Sequence, residues 1–336
     1  MGGNFMKRCI KCVMPQVEGH VAFDEGGVCN VCNRFDETKI LSKEEKQVGG
    51  YEDLIKKINK HKGDGRGKYD CAVGVSGGKD SIMALYIAKN ELNLNPLAIF
   101  IDNGFSLDEM FHNIKSATDI LGIDLVIYKV NKFKEIFKYL LVKKKEVYYC
   151  RVCHALLDVY VREVADRYHI KMLIGGYTKG QEFAKSEELF WIFNESDENA
   201  NSEIEKSPGL KDTLDILNNL ALYLYENYSH IAQVNPFQYI DYNEGNILEF
   251  LTEKLDFKRP SNSWPKDSTN CSFNFLSQHL AMKYWGYSQH ETEVSTLVRK
   301  KELTRERALD IIETPIPMEI LEEVLQKLDL KYEDII

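Results

Sequence analysis

The chain has 336 residues, 44% hydrophobic and 28% charged, which is typical of a soluble globular protein long enough for more than one core. Its net charge of −9 argues against broad, non-specific binding to nucleic acid, which depends on clustered Lys and Arg. No run approaches the roughly 18 apolar residues of a membrane span, and residues 1–9 contain no apolar signal core, so we expect a cytoplasmic protein with no membrane partner.

Four of the eight cysteines form two pairs near the amino terminus. Cys9 and Cys12 form CIKC, Cys29 and Cys32 form CNVC, and sixteen residues separate the pairs. This spacing predicts a closed four-thiolate Zn²⁺ site, which is structural and folds a segment too small for its own core. The alternative is four buried or free thiols. We assign residues 1–45 to this zinc-ribbon-like module.

After a charged helical connector at residues 42–70, apolar strands alternate with helices. Strands are predicted at 71–75, 96–102, 124–130 and 171–176, and helices at about 80–90, 108–121, 131–145 and 153–168. Strands that are apolar throughout, in this order, predict an α/β domain built on a parallel sheet with helices on both faces. We assign residues 46–190 to it, and Cys71 in the first strand is an inert core thiol.

Ligands of such sheets bind beyond the carboxyl ends of the strands. This rule predicts one crevice lined by Ser76–Ser81, Asp102–Gly104 and Gly175–Gln181. In VGVSGGKDS, Gly77 and Gly78 let the backbone approach an anion, the following helix offers free N–H groups, and Lys79 adds a positive charge. The loop therefore suits a pyrophosphate group, the alternative being a glycine turn without a ligand.

A second cysteine set is less regular. Cys150 and Cys153 lie in YYCRVCHALL, and Cys271 lies far along the chain in STNCSFN. Three thiolates leave one position of an iron–sulfur cluster, or of a zinc ion, without a protein ligand, and a reactive site needs such a position. The alternative is that Cys271 is simply buried.

The rest of the chain, residues 191–336, is predicted to be a polar insert followed by a helical carboxyl-terminal substrate or oligomerisation region. The acidic stretch 194–209 is long for a structureless loop and is expected to be mobile or to form a lid. A helix should begin after Thr304 and end before Pro315 and Pro317. Apolar and aromatic residues at 220–228 and 279–287 could supply the surface of a homodimer.

SGGKDS after a parallel strand resembles the PP-loop of the ATP pyrophosphatase superfamily (adenine nucleotide alpha-hydrolase-like, HUP-like fold). The resemblance covers about residues 69–182 and implies transfer of AMP from ATP to a substrate carbonyl with release of pyrophosphate. It implies a role for Lys79 and Asp80 in catalysis, with Mg²⁺ held through Asp80. The nucleotide contacts that it implies are Ser76, Gly77, Gly78, Lys79, Asp80, Ser81, Asp102 and Gly175. At the fourth strand the chain has GGYTKGQE where tRNA-thiolating members carry a segment like GHNxDD.

Two branches of the superfamily resemble this chain. One is the N-acetyl sugar amidotransferases of surface-polysaccharide pathways, which use ammonia from a glutaminase partner. The segments that carry that resemblance are KRCIKCVMP, FDEGGVCNVC, GVSGGKDS, CRVCH and WGYSQHETEVSTLVRKKELTRERALDII. The other is the [4Fe-4S]-dependent sulfur transferases of the tRNA-thiolation type, which share a zinc-binding amino terminus, a PP-loop, a CxxC pair and one distant cysteine.

In those sulfur transferases three cysteines hold a [4Fe-4S] cluster whose free iron can carry sulfide. An ammonia-using enzyme needs no third thiolate, so Cys271 favours sulfur insertion, with Cys150, Cys153 and Cys271 as ligands and a sulfide donor as partner. The amidotransferase is the alternative, and a nucleotide-binding module without turnover is a third reading. The acidic composition favours a small-molecule or carrier-bound substrate over tRNA.

Overall fold

The structure is a computed structural model that describes residues 7–41, 50–62, 67–177, 187–241, 243–261, 270–301 and 303–336, with side chains at all of these except 36–41 and 187–190. The strands are β1 (Cys71–Gly74), β2 (Pro96–Asp102), β3 (Leu125–Lys129), β4 (Met172–Ile174) and β5 (Ala232–Val234). The helices are α1 (Asn30–Leu41), α2 (Tyr51–His61), α3 (Lys79–Tyr86), α4 (Asp108–Leu121), α5 (Lys132–Val142), α6 (Tyr149–Arg167), α7 (Glu187–Ile204), α8 (Lys211–Asn218), α9 (Leu220–Tyr228), α10 (Glu244–Leu255), α11 (Phe273–Trp285), α12 (Gln289–Arg299), α13 (Arg305–Ile312), α14 (Met318–Gln326) and α15 (Tyr332–Ile335). No helix among these residues is long and apolar enough to cross a bilayer.

The five strands form one sheet in the order β3-β2-β1-β4-β5, and every neighbouring pair is parallel. Val73 of the central strand β1 lies opposite Ala98 of β2 and Ile174 of β4. The chain leaves β1 toward β2 and β3 and later returns to the other side of β1, so the order reverses between β1 and β4. Such a reversal opens a crevice at the carboxyl ends of the strands. The predicted parallel α/β sheet is confirmed.

Helices cover both faces of the sheet. Successive residues of a strand point to opposite faces, and apolar strand residues are buried on each face. One face packs against α5, α6, α11 and α14, and the other against α2, α3, α4 and α10. On the first face the rings of Phe137 and Phe273 stack with centroids 4.2 Å apart. This contact fixes the start of α11, and with it Cys271, beside the sheet.

Several predicted boundaries agree with the structure because their signals are local. β2 and α4 have the predicted bounds, and α3 continues through a single π-helical turn, Ile87–Glu91, to the predicted end. Thr304 accepts a hydrogen bond from the N–H group of Arg307, which confirms that α13 begins after Thr304. α6 begins at Tyr149, so Cys150 and Cys153 both lie in its first turns.

The prediction that residues 194–209 are mobile or form a lid is wrong. Most of this stretch belongs to α7, whose Ile192, Ser196, Ala200 and Ile204 are buried at intervals of four residues. Residues four positions apart lie along one narrow stripe of a helix. The many acidic residues around this stripe obscured the helical pattern in the sequence. The Ser196 hydroxyl also accepts a hydrogen bond of 2.8 Å from the N–H group of Tyr148.

Two other features of the carboxyl-terminal half differ from expectation. The short strand β5 was missed, and its pairing with β4 brings part of the predicted third region into the sheet. Residues 279–287 do not offer the predicted dimer surface, because Leu280, Trp285 and Tyr287 are buried within the chain. α9, in contrast, buries none of its residues. The predicted division at residues 45 and 190 stays a prediction.

Candidate functional site

The glycine loop between β1 and α3 has the tight geometry that the sequence predicted. Gly77 has a φ of +83°, and a Cβ there would lie 2.6 Å from the Cα atom of Met110, so only glycine fits. Asn113 of α4 is 1% exposed, and its amide donates a hydrogen bond of 3.0 Å to the carbonyl of Gly77. The turn is therefore held by α4 as well as by its own backbone.

Serine hydroxyls close this loop from within. The Ser81 hydroxyl donates to the carbonyl of Gly78 at 2.9 Å and accepts from the N–H group of Ser76 at 3.1 Å. The first N–H groups of α3 have no acceptor within the helix, and together with the helix dipole they attract an anion. The arrangement suits the phosphate groups that the motif predicts.

Lys79 supplies the positive charge of this loop. Its ammonium group lies 3.2 Å from Asp80 and 3.3 Å from Glu244 of α10. Burial opposes the charge on Lys79, but the two carboxylates outweigh burial and raise its pKa, so the ammonium form persists at neutral pH. The Asp80 carboxylate is a hard oxygen ligand of the kind that Mg²⁺ prefers.

The other two segments predicted to line the crevice follow β2 and β4. Asp102, at the end of β2, accepts a hydrogen bond of 2.8 Å from the N–H group of Gly104. After β4, a Cβ at Gly175 would lie 2.6 Å from Asn235, and one at Gly176 would lie 2.8 Å from the carbonyl carbon of Asp80. The glycine pair thus brings β4 against the start of α3. Residues 178–181 of the predicted crevice lie outside the described residues.

The four amino-terminal cysteines converge as predicted. Their sulfur atoms all lie within 4.8 Å of one another, and all four residues are buried. Backbone N–H groups approach these sulfurs, from Cys29 to Cys9 at 3.2 Å and from Cys32 to Cys29 at 3.3 Å. Contacts among the thiols, led by those of Cys12, lower the pKa of Cys9 and raise that of Cys32. The set is compatible with one tetrahedral ion such as Zn²⁺.

The carboxyl-terminal helices hold this four-thiol module. The Arg305 guanidinium donates to the carbonyl oxygens of Cys9 and Cys12 at 3.1 and 3.0 Å, and Arg299 lies 3.8 Å from the Cys12 sulfur. Arg8 forms an ion pair of 2.8 Å with Glu291, whose side chain is 1% exposed. Cationic donors of this kind offset the charge that four thiolates place on a zinc ion.

The second cysteine set gathers around Asn103, the residue directly after β2. Asn103 is 6% exposed, and its amide nitrogen lies 3.5 Å from the sulfur of Cys153 and 3.8 Å from that of Cys271. Cys150 lies one helical turn before Cys153, and its N–H group donates to the Ser277 hydroxyl of α11 at 3.2 Å. The structure therefore brings all three cysteines to the end of β2.

This second set is more widely spaced than the first. Among the described residues, only the amino-terminal cysteines have all their ligand atoms within 4.8 Å. In an iron–sulfur cluster each thiolate binds a different iron, so the sulfurs need not touch. Burial raises the pKa of Cys150 to about 12 and also raises the pKa values of Cys153 and Cys271. The thiols accordingly stay protonated at neutral pH unless a cation displaces their protons.

A polar network connects the second set to α12. The Cys150 thiol donates to the side-chain oxygen of Asn274 at 3.5 Å, and the Asn274 amide nitrogen lies 3.2 Å from His290. The other ring nitrogen of His290 lies 3.3 Å from Glu293. The SQHETEV segment thus reaches Cys150 through one asparagine.

A short segment connects the glycine loop to the second cysteine set. Asn270 accepts a backbone hydrogen bond of 3.2 Å from Leu107, and the N–H group of Ser272 donates to Phe105 at 2.8 Å. Cys271 between them forms a β-bridge with Ser106. The Asn270 amide donates to the Ser76 hydroxyl at 3.1 Å. Adjacent residues of one segment therefore contact the loop and the thiols.

Sequence reasoning missed several polar residues of this site. They are Asn113, Glu244, Asn270 and His290, whereas Asn103 was included in the predicted crevice range Asp102–Gly104 without a role of its own. Asn103 directly follows a predicted strand, and Asn270 directly precedes Cys271. Both residues could therefore have been considered for a role because of their neighbours in the sequence. Glu244 gave no signal, because it lies far along the chain from Lys79 and meets it only through the packing of α10 on α3.

No protein-family model matches the chain. The uncharacterized protein MJ1599 of Methanocaldococcus jannaschii is 25% identical over 262 residues, which span 78% of this chain and 79% of that protein.

Two solved structures are similar over most of the chain. The U34-tRNA thiolase NcsA from Methanococcus maripaludis, with its [4Fe-4S] cluster, is 16% identical with a TM-score of 0.38, covering 90% of this chain and 88% of its own. NMN synthetase from Francisella tularensis is 12% identical with a TM-score of 0.36, covering 85% and 94%. TM-scores this low assign neither an activity nor a substrate to this chain.

Proposed function

We propose that the protein is an ATP-dependent enzyme that adenylates a substrate carbonyl, releases pyrophosphate, and then inserts sulfur at the activated carbon. The observation that carries this proposal is the position of the Ser76–Ser81 loop and of Cys150, Cys153 and Cys271. Both groups lie at the carboxyl edge of one parallel sheet, connected by residues 270–272. A phosphate-binding loop and a set of thiols at one crevice suit activation followed by sulfur transfer.

The loop residues serve the adenylation step. The substrate oxygen attacks the α-phosphorus of ATP, the bond from that phosphorus to the oxygen bridging it to the β-phosphorus breaks, and pyrophosphate leaves. The Lys79 ammonium and the first N–H groups of α3 stabilise the negative charge on the leaving group. Asp80 would hold Mg²⁺, which neutralises the phosphates. Glu244 keeps the Lys79 side chain over the loop.

The three thiols fit an iron–sulfur cluster by their chemistry: Cys153 is buried, Cys150 and Cys271 are partly buried, and the Asn103 amide lies within hydrogen-bond reach of the sulfurs of Cys153 and Cys271. When bound, a [4Fe-4S] cluster with three protein ligands supplies one open iron position that can hold sulfide. Cys150, Cys153 and Cys271 would be its ligands, and Asn103 orients two of them. In the net exchange sulfide sulfur replaces the substrate oxygen, which leaves with AMP.

The remaining assignments concern structure and partners. Cys9, Cys12, Cys29 and Cys32 hold a structural Zn²⁺, because a closed four-thiolate site has no open position. A small-molecule or carrier-bound acceptor is favoured over tRNA by the net charge of −9. A sulfide donor is the required partner, and the exposed apolar residues of α9, Leu222 and Tyr225, suit contact with a second copy of the chain.

One specific observation favours the amidotransferase as second candidate. The segments that carry that resemblance, residues 7–15 and 285–312, pack against each other through Arg8–Glu291 and through Arg305. In that enzyme ammonia from a glutaminase subunit would take the place of sulfide. Cys150 and Cys153 would then be a structural pair, and Cys271 would have no role in the reaction.

Anaerobic purification followed by iron, sulfide and zinc analysis tests the nucleophile. The sulfur transferase should contain about one Zn²⁺ and four iron atoms per chain and absorb light near 400 nm. Cys271→Ala should lose the iron and keep the zinc, and the matched control Cys71→Ala, at a fully buried thiol in β1, should keep both. Zinc without iron in the wild type would contradict sulfur insertion and favour the amidotransferase.

Product analysis tests the adenylation step separately. The wild type should form AMP and pyrophosphate, and Lys79→Ala should lose this activity without unfolding. Formation of ADP would contradict the assignment to adenylation. ATP binding without turnover, with ammonia and with sulfide, would favour a nucleotide-binding module.

A further inference from the structure

The side chain of Asn270 lies against the glycine loop, beside Gly78. Its amide nitrogen is 3.1 Å from the Ser76 hydroxyl, and a Cβ at Gly78 would lie 2.6 Å from that same nitrogen. A neutral N–H donor therefore occupies the space that the absent side chain of Gly78 leaves open. Loops of this kind bind phosphate through their backbone N–H groups, and the Asn270 amide would add one more donor beside them.

The main chain around Asn270 is fixed on both sides. Leu107 donates to the Asn270 carbonyl at 3.2 Å, and Ser272 donates to Phe105 through its backbone N–H at 2.8 Å and through its hydroxyl at 3.0 Å. These bonds hold the segment against the loop that follows β2. The Asn270 amide is thus presented by a constrained backbone, which reduces the entropy lost when it binds a ligand.

The next residue points elsewhere. The Cys271 sulfur lies 3.8 Å from the amide of Asn103, whereas the Asn270 amide contacts the Ser76 hydroxyl. Asn270 and Cys271 share a peptide bond, so a ligand that restrains the backbone of Asn270 also restrains the backbone that carries the Cys271 thiol.

We propose that Asn270 is a phosphate-binding residue of the loop, and that a polyphosphate held by Asn270 fixes Cys271 in its position beside Asn103. This inference rests on the proposed function for its ligand, because it concerns the phosphates of the nucleotide that is consumed. It adds a residue from the distant segment 270–272 to the loop. It also gives the thiol site a means of responding to the nucleotide.

Binding of inorganic pyrophosphate and of adenosine to the full-length chain tests the first part. Asn270→Ala removes the donor, and Asn270→Asp keeps the size but places a carboxylate beside the phosphates. We expect the pyrophosphate Kd to rise about tenfold for the alanine variant, the loss of one charge-assisted hydrogen bond, and further for the aspartate variant. Adenosine binding should change less than twofold in both, because adenosine carries no phosphate.

Asn227→Ala is the matched control, because Asn227 is exposed on α9 and its amide donates to a backbone carbonyl. It should bind pyrophosphate like the wild type. Pyrophosphate affinity that is unchanged in both Asn270 variants would overturn the proposal. Equal losses for adenosine and pyrophosphate would also overturn it, since they would mean that Asn270 only maintains the shape of the crevice.

Alkylation of Cys271 tests the connection between the two sites. Iodoacetamide labelling of the zinc-containing, iron-free chain, read by peptide mass spectrometry, should slow about tenfold with saturating pyrophosphate in the wild type. In Asn270→Ala, with pyrophosphate raised to saturation, the slowing should be less than twofold. A Cys271 labelling rate that pyrophosphate leaves unchanged in the wild type would overturn the connection.

These measurements separate the inference from the proposed function. None of them requires iron or sulfur transfer, so a chain that never binds iron would contradict only the sulfur step. A wild-type chain that binds neither pyrophosphate nor ATP would contradict the adenylation proposal and this inference together.

Discussion

Asn103 is the residue on which the second cysteine set depends most directly. Its amide nitrogen faces the sulfurs of Cys153 and Cys271, and its side-chain oxygen accepts the N–H group of Phe105 at 2.9 Å. Both polar atoms of its side chain are therefore used inside the protein. A buried amide in this position orients the thiols and, in an iron–sulfur protein, raises the reduction potential through N–H···S bonds.

Asn103→Ala should therefore affect both stability and the thiol site. The substitution leaves the Phe105 N–H group without its acceptor, which costs about 1–3 kcal/mol of unfolding free energy, measurable by urea denaturation. If a cluster is present, its reduction potential should fall. The control is Asn199→Ala, at a partly buried asparagine that donates to the carbonyl of Glu146, and it should leave the reduction potential unchanged. An unaltered stability and potential in the Asn103 variant would contradict a positioning role.

Gly77 and Gly78 should respond differently to alanine. At Gly77 the backbone has positive φ and the new Cβ would meet the main chain of Met110, so Gly77→Ala should cost at least about 1–2 kcal/mol and distort the loop. At Gly78 the new Cβ meets only the side chain of Asn270, which can move. Gly78→Ala should be tolerated better, and better still when combined with Asn270→Gly. Thermal denaturation of the three variants checks this order, and a Gly77 variant as stable as the wild type would contradict it.

The elements that could be predicted from sequence are those whose signals lie within one segment. β2 is a continuous apolar run and α4 has a clear amphipathic period, and both were found with their bounds. The glycine loop was found because strand, glycines and helix start are consecutive in the chain. β5 has only three residues, and its strand character comes from pairing with β4, which no local pattern records.

The residues of the candidate site also differ in whether a local sequence signal reveals them. Cys150 and Cys153 could be singled out together because they share one turn of α6, whereas the approach of Cys271 depends on the stacking of Phe273 on Phe137. Asn270 and Glu244 meet the loop only through tertiary packing. Motif reasoning therefore singled out the loop and the cysteines, and the structure was needed for the side chains that surround them.

The packing of α7 on the core gives a prediction about the stability of the protein. Ala200 is 1% exposed in the main core, so Ala200→Glu places a charge there and should cost about 3 kcal/mol or more. Ser202→Glu, at an exposed position of the same helix, should change the unfolding free energy by less than about 0.5 kcal/mol. Urea denaturation of both variants measures the difference. Similar stabilities would mean that α7 is not packed on the core as described.

At the scale of the whole molecule, the two ends of the chain form one unit. Arg305 and Arg299 of the carboxyl-terminal helices contact the backbone and sulfur of the four-thiol module, and the Arg8–Glu291 pair adds a buried connection. α12 also carries His290, which contacts Asn274 next to Cys150. A path of direct contacts thus connects the four-thiol module to the second cysteine set.

Metal removal should therefore disturb more than the amino-terminal module. We expect a chelator that strips Zn²⁺ to increase amide hydrogen exchange in residues 7–35 and also in α12 and α13, because the arginines lose the ordered carbonyls and thiolates that they contact. Peptides from β1 and α4 serve as the internal control and should keep their protection, since their packing does not involve the module. Mass spectrometry of the full-length chain measures all of these segments at once. If the increase were confined to residues 7–35, the module would be an independent unit and the contacts of α12 and α13 would contribute little to its stability.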